Sequence, residues 1–199
     1  MRKHVRGSIP NVLKEKASQW NEQWANLKTN NPSASFNWYQ HKKKSVRDWI
    51  IGDLKAITQG HCAFCDRFTV EPDSVEHFKP KSDPRFLHLA YEWTNLFYCC
   101  GGCQTNKLEK WDDKLINPDD DDYQFARFFV YDFTTGAIEP NPKASPSERE
   151  RARVTIEIYG LDSPKRRRFR SMELRRWRLS SDKQIDQFAY RDFVDPGLV

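Results

Sequence analysis

The chain reads as an α+β protein in which a small metal-stapled core sits between helical ends. Three observations predict this. Two apolar stripes at helical spacing occupy the first sixty residues. Two Cys-x2-Cys pairs then fall in a stretch of short apolar runs and prolines. A strand–turn–strand pattern follows and gives way to a long arginine-rich helix. The expected division is 1–59 for the N-terminal helical region, 60–115 for the core and 116–199 for the hairpin and basic helices. The three parts are expected to form one compact unit.

The first stripe is Leu13, Ala17, Trp20, Trp24 and Leu27, at steps of four and three, which is one face of a helix. NNPSAS, residues 30–35, breaks it. The second stripe runs Val46, Trp49, Ile50, Leu54 and Ile57 and stops at Gly60, where a residue tolerant of positive φ is wanted. These aromatics are expected to pack, not to hold ligands. Four consecutive acids, Asp119 to Asp122, follow an Asn-Pro turn and read as a solvated loop. FFVYDF, TTG and AIEP read as a hairpin, and PNPKASPSE as a connector. Ala152, Ile156 and Tyr159 mark a helix ending at Gly160. LDSP opens the last long helix, with Asp162 or Ser163 as cap and Pro164 in its first turn.

Composition narrows the function classes. The 199 residues are 38% hydrophobic and 31% charged, polar for a globular protein, yet 7 Trp, 7 Tyr and 13 Phe supply large burial per residue. A net charge of +5 by itself barely favours an acidic partner, so clustering of charge matters more. No stretch approaches a membrane span and no apolar leader follows Met1, so the chain is expected to be cytoplasmic. In that reducing compartment cysteines serve as ligands or core residues more often than as disulfides.

Cys62 and Cys65 form one knuckle, Cys100 and Cys103 the other, with 34 residues (66 to 99) between them. A two-residue gap closes a tight turn around an ion, so two such pairs predict one tetrahedral four-thiolate zinc site. The segment has little aliphatic core, and structural zinc supplies about 10–16 kcal/mol of apparent binding energy, enough to fold it. The fifth cysteine, Cys99, adjoins Cys100 in NLFYCC. Strand alternation lets only one of the two face the metal, and the spacing to Cys103 selects Cys100, leaving Cys99 as a small core residue.

Between the knuckles lies SVEHFKPKS, residues 74–82. Glu76 beside His77, followed by Lys79 and Lys81, is a combination suited to phosphodiester cleavage. A neutral histidine takes a proton from water, a carboxylate holds a divalent cation and lysines attract phosphate. Strict alternation, however, places Glu76 and His77 on opposite faces, so both reach one phosphate only at an irregular strand end. Asn95 opens the strand before the second knuckle, and Gln104, Asn106 and Lys107 follow it. Other histidines (His4, His41, His88) read as structural or surface residues; His61 adjoins the first knuckle, where four thiolates already suffice.

The order Glu-His, Asn, amide and lysine around two knuckles resembles the HNH endonucleases, whose ββα-metal core is often clamped by two CxxC pairs. VEHFKPKSD, HLAYEWTNLFYC, LINPDDDD, the hairpin near Gly136 and VTIEIYGLD follow the order seen in HNH proteins of Septu-type and retron-associated anti-phage systems, a likeness covering about residues 60 to 175. The resemblance implies His77 as general base and Glu76 and Gln104 as ligands of Mg²⁺ or Mn²⁺, with Asn106 as the alternative. It implies Asn95 as the residue that holds the turn, and Lys107 as a basic helix residue. It also implies cleavage of nucleic acid, DNA before RNA, beside an ABC-type ATPase from a neighbouring gene. This chain lacks a phosphate-cradling glycine loop, so an ATPase would be a separate chain. Gln104 departs from the usual His or Asn; its longer side chain costs more entropy to fix.

Pro164 to Arg178 contains eight basic residues and one acid. Arg166, Arg167 and Arg168 on this helix, with Lys79, Lys81 and Lys107, are the expected nucleic-acid contacts, and Phe169 and Trp177 could stack a base. A solvated arginine helix, or one docked on an acidic protein, gives the same pattern. From another functional class, a zinc-stabilised binding or regulatory subunit with weak or lost cleavage fits the same residues.

Overall fold

The computed structural model describes residues 1–68, 74–195 and 197. Helix α1 (Asn11–Asn30) buries Leu13, Trp20 and Trp24, while Leu27, expected on the same stripe, is 46% exposed. An irregular strap, residues 31–39, leads into a short ribbon of β1 (Gln40–His41) and β2 (Lys44–Ser45). Strands of two residues leave no periodicity to read, so sequence patterning does not find them. Helix α2 (Val46–Ile57) buries Val46, Ile50 and Leu54 and leaves Trp49 on its outer face. The turn after it closes at Gly60, whose φ of 77° is the left-handed conformation that a glycine takes without strain.

The centre of the molecule is a two-stranded antiparallel ribbon followed by a helix. Strand β3 (Ser74–His77) pairs with β4 (Leu96–Cys99), setting Glu76 opposite Phe97 and His77 opposite Leu96. Helix α3 (Gly101–Lys107) starts two residues later and packs back on β3. A helical turn, α4 (Phe125–Phe128), precedes the expected hairpin of β5 (Phe129–Asp132) and β6 (Ala137–Pro140). Phe128, read from sequence as strand, belongs to that turn.

Helix α5 (Pro146–Tyr159) begins inside the stretch read as connector. Ser145 and Glu148 form a reciprocal capping box, each side chain taking the other's backbone N–H, and Pro146 occupies the first helical position. It ends at Gly160 as expected, with φ 60°. A side chain there would also collide with Asn106, so the close approach of α3 requires glycine as much as the backbone does. Helix α6 (Pro164–Leu179) and the short α7 (Arg191–Val194) complete the chain. The acidic loop is less solvated than expected: Asp119 pairs with Arg6, Asp120 with Arg151 and Asp122 with Arg127.

The β3–β4 ribbon separates two cores. On one face Val75, Leu96 and Tyr98 pack with α1, α2 and Tyr91. On the other Phe97 and Cys99 pack with the four knuckle cysteines, Phe64, Phe78 and Tyr159. Both faces of a two-stranded ribbon are thus buried, which is why all four residues of β4 are apolar and inaccessible. The C-terminal residues Leu174, Phe188, Tyr190 and Phe193 make a third cluster. None of the described helices is long and apolar enough to cross a membrane.

Candidate metal centre and the site around His77

Cys62, Cys65, Cys100 and Cys103 bring their sulfurs within 4.8 Å of one another, all buried. A tetrahedral site with Zn–S bonds of about 2.3 Å has sulfur–sulfur edges of about 3.8 Å. The Cys65–Cys100 separation of 3.7 Å matches that edge. The donor set therefore fits structural zinc. Cys99 stays outside the group, as the spacing requires, but strand parity is not the reason. Cys99 lies on the same side of the ribbon as the cluster, in the same core. The strand ends at Cys99, and Cys100 turns off it as the residue capping α3.

The surroundings of the cluster correct one expectation. Arg166, expected on the surface, is only 8% exposed and places Nη2 3.1 Å from the Cys103 sulfur. A guanidinium beside a thiolate offsets the charge that four thiolates leave on a divalent ion. Arg166, Arg170 and Leu174 recur every four residues and form the buried face of α6. That register is the signal a charge count overlooks: two arginines stand where an apolar stripe would run. Arg170 gives its guanidinium to the Gly136 and Leu161 carbonyls. Arg167 pairs with Asp162, and of the three arginines expected at the surface Arg168 alone is exposed with no acidic partner among the described residues. Asp66, just past the first knuckle, forms a buried ion pair with Arg191 at 2.7 Å, and the Tyr190 N–H donates to its carbonyl. The C-terminal segment is tied to the knuckle by these bonds, which span too many residues to be read from sequence.

Glu76 and His77 point to opposite faces, as alternation dictates. Glu76 lies on the cysteine side, buried, with its Oε1 2.8 Å from Lys107 Nζ. Lys107, expected as a nucleic-acid contact, is inaccessible; it also donates to the His77 and Leu108 carbonyls. Burial pushes the Glu76 carboxyl up to about 7, against the pull of Lys107. Gln104 donates to the Val75 carbonyl at 3.2 Å, and Asn106 donates to the Tyr159 carbonyl, turned away from β3. The residues expected to hold a divalent cation are thus engaged with protein groups. Among the described residues, the knuckle cysteines are the only His, Cys, Asp or Glu side chains clustered closely enough to form a metal site. As placed, Glu76, Gln104 and Asn106 do not compose a Mg²⁺ or Mn²⁺ site.

His77 faces the N-terminal helices. Its Nε2 lies 2.9 Å from the Ala90 carbonyl oxygen, which only accepts, so Nε2 carries the proton and Nδ1 keeps a lone pair. Burial holds its pKa down at about 3, helped by the charges of Lys81 and Lys107, so the ring is neutral at pH 7. Asn95 shapes this corner: its Oδ1 accepts from the Lys79 N–H at 2.7 Å, and its Nδ2 donates to the carbonyls of Lys79 and Leu89. The histidine is covered by the strap after α1. Trp38 stacks on it with ring centres 5.3 Å apart and Phe36 meets it edge-on at 5.2 Å. Sequence reading missed this cover, because residues 31–39 have no regular period. Lys81 pairs with Glu109 and lies over Phe36, while Lys79 lies over Phe86 and Trp111.

No family model matches the chain, and no curated protein matches it.

Proposed function

We propose that the protein is an HNH-type endonuclease that cleaves phosphodiester bonds of nucleic acid, with His77 as general base. The observation that carries the reading is the state of His77. It is a neutral imidazole whose Nε2–H is fixed on a backbone carbonyl, leaving Nδ1 as a proton acceptor, on a ββα unit held by a four-cysteine cluster. A general base must be oriented and neutral, as here, and also basic, so the burial that lowers the pKa to about 3 has to be relieved before the ring takes a proton from water efficiently. Asn95 supports the role by bonding the backbone on both sides of the corner. Zinc in the cysteine cluster supplies rigidity to the frame. A Mg²⁺ or Mn²⁺ requirement rests on the family resemblance alone. The assignment to anti-phage defence, and to a neighbouring ABC-type ATPase as partner, likewise rests on that resemblance.

A second reading has its own support. His77 is 5% exposed beneath Phe36 and Trp38, and Glu76 is locked to Lys107. A chain in this arrangement serves as a zinc-stabilised binding or regulatory subunit unless the strap moves. Nicking of supercoiled plasmid, with Mg²⁺ or Mn²⁺ added and EDTA as control, separates the two. Wild type is expected to nick, and His77→Ala to lose about 10²–10⁴-fold while keeping its zinc. Equal nicking by both proteins sinks the nuclease reading.

A further inference from the structure

Beside the cysteine cluster, on the face of the ribbon away from His77, lies a cleft of about 380 Å³. Arg67, Lys165 and Arg166 line it, and among the described residues no carboxylate does. Arg67 and Lys165 are exposed, stand over the ring of Phe169 at 5.1 and 5.8 Å, and have no acidic partner among the described residues. Arg166 is more than nine-tenths buried, and its Nη1 lacks a hydrogen-bond partner although Nη2 meets Cys103. Three cations from two segments therefore converge, Arg67 after the first knuckle and the other two on α6; the cluster thiolates balance Arg166 on one side, while Arg67 and Lys165 lack acidic partners among the described residues. The Thr105 and Ser163 side chains add hydroxyls to the wall, and Gly101 and Gly102 leave one side of it without side chains.

We propose that this cleft is a binding site for a phosphate-bearing anion. Arg67 and Lys165 repel one another across Phe169, and an oxyanion between them relieves that repulsion while giving the buried Arg166 Nη1 the acceptor it lacks. The volume falls within the usual range for a small-ligand site and suits a phosphate or pyrophosphate group. The phosphate can come from a free nucleotide or from a nucleic-acid strand; the recognising chemistry is shared. The inference does not depend on cleavage by His77, which lies across the ribbon. It does link the anion to the metal centre, since Arg166 touches both the cluster and the cleft.

The test is isothermal titration calorimetry at low salt on the zinc-loaded full chain, with inorganic pyrophosphate and with a short 5′-phosphorylated oligonucleotide as probes. Arg67→Glu and Lys165→Glu reverse exposed charges that touch no cysteine, and each should weaken binding about tenfold or more. Gly101→Phe blocks the cleft with every charge in place; a Cβ there meets nothing within 4 Å, so the variant should fold and also lose binding. Zinc content and melting temperature check each variant. Heat from pyrophosphate places a free nucleotide among the ligands, and heat from the oligonucleotide alone assigns the site to nucleic acid. No heat from either probe in wild type, or equal binding by wild type and all three variants, overturns the proposal. Plasmid nicking on the same samples reports separately on the nuclease reading.

Discussion

The two faces of the β3–β4 ribbon are built on different principles. The cysteine face is polar chemistry made rigid: four thiols, a guanidinium with Nη2 3.1 Å from one of them and a buried Glu76–Lys107 pair. The His77 face is an aromatic layer, in which Phe36 and Trp38 cover one neutral histidine and Tyr91 and Trp20 pack behind them. Removing a partner on the first face leaves a buried charge, whereas removing a ring on the second opens a hole. Stability and access are thus controlled on opposite faces. The cysteine face holds the chain together, and the aromatic face decides whether His77 meets solvent.

The largest effect should come from the metal. Chelation, or Cys100→Ser, is expected to unfold the core, because structural zinc contributes about 10–16 kcal/mol of apparent binding energy. Cys99→Ser should keep one equivalent of zinc and cost only about 1–3 kcal/mol for a buried hydroxyl. Metal analysis and thermal melts of the two variants check this; equal zinc loss would break the assignment of Cys99 to the core.

Next comes the buried ion pair. Lys107→Met leaves Glu76 without its cation and should cost about 3–5 kcal/mol, measured by urea unfolding. Glu76→Gln should cost less, since Lys107 keeps the His77 and Leu108 carbonyls. If Lys107→Met proves neutral, the polar face is less tightly coupled than the contrast requires.

Acid should act through two buried histidines, His77 under the aromatic cover and His4 against the Ala63 carbonyl beside the first knuckle. His77 and His4 are buried and neutral, with pKa values lowered from 6.5 to about 3 and about 4. The unfolded chain binds their protons below pH 6.5 and the folded chain does not. Their contribution is therefore fully present above pH 6.5 and is lost as pH falls toward those values, about 1.4 kcal/mol per pH unit for each histidine. Glu76 works in the opposite sense: its raised pKa makes ionisation in the fold costly as pH rises from about 4.5 to about 7. Unfolding free energy measured between pH 4.5 and 6 should rise less steeply with pH in His77→Ala than in wild type, by about 1.4 kcal/mol per unit. Parallel slopes would mean that His77 titrates normally and that its cover is open.

The smallest effect should come from the cover itself. Trp38→Ala removes the stacked ring and is expected to raise nicking above wild type at a temperature where both proteins are folded. Reduced nicking would make Trp38 part of the substrate path and not a barrier.

Local patterns determined much of this protein by themselves. The knuckle spacing selects Cys62, Cys65, Cys100 and Cys103 because the tight turn around an ion is a short-range constraint. Alternation along β3 separates Glu76 from His77 because side chains on a strand have a period of two. Gly60 and Gly160 mark their turns because few other residues take positive φ without strain. Tertiary structure decided the rest. Lys107 and Arg166 look like surface cations in a charge count, yet both are buried, because a carboxylate and a thiolate from distant segments meet them there. The cover over His77 comes from a strap with no period, and Arg67 gains its role only where α6 folds back beside it. Spacing fixes what lies within a turn or two of a residue; which charges are compensated, and which side chains are covered, depends on segments that only the packed fold brings together.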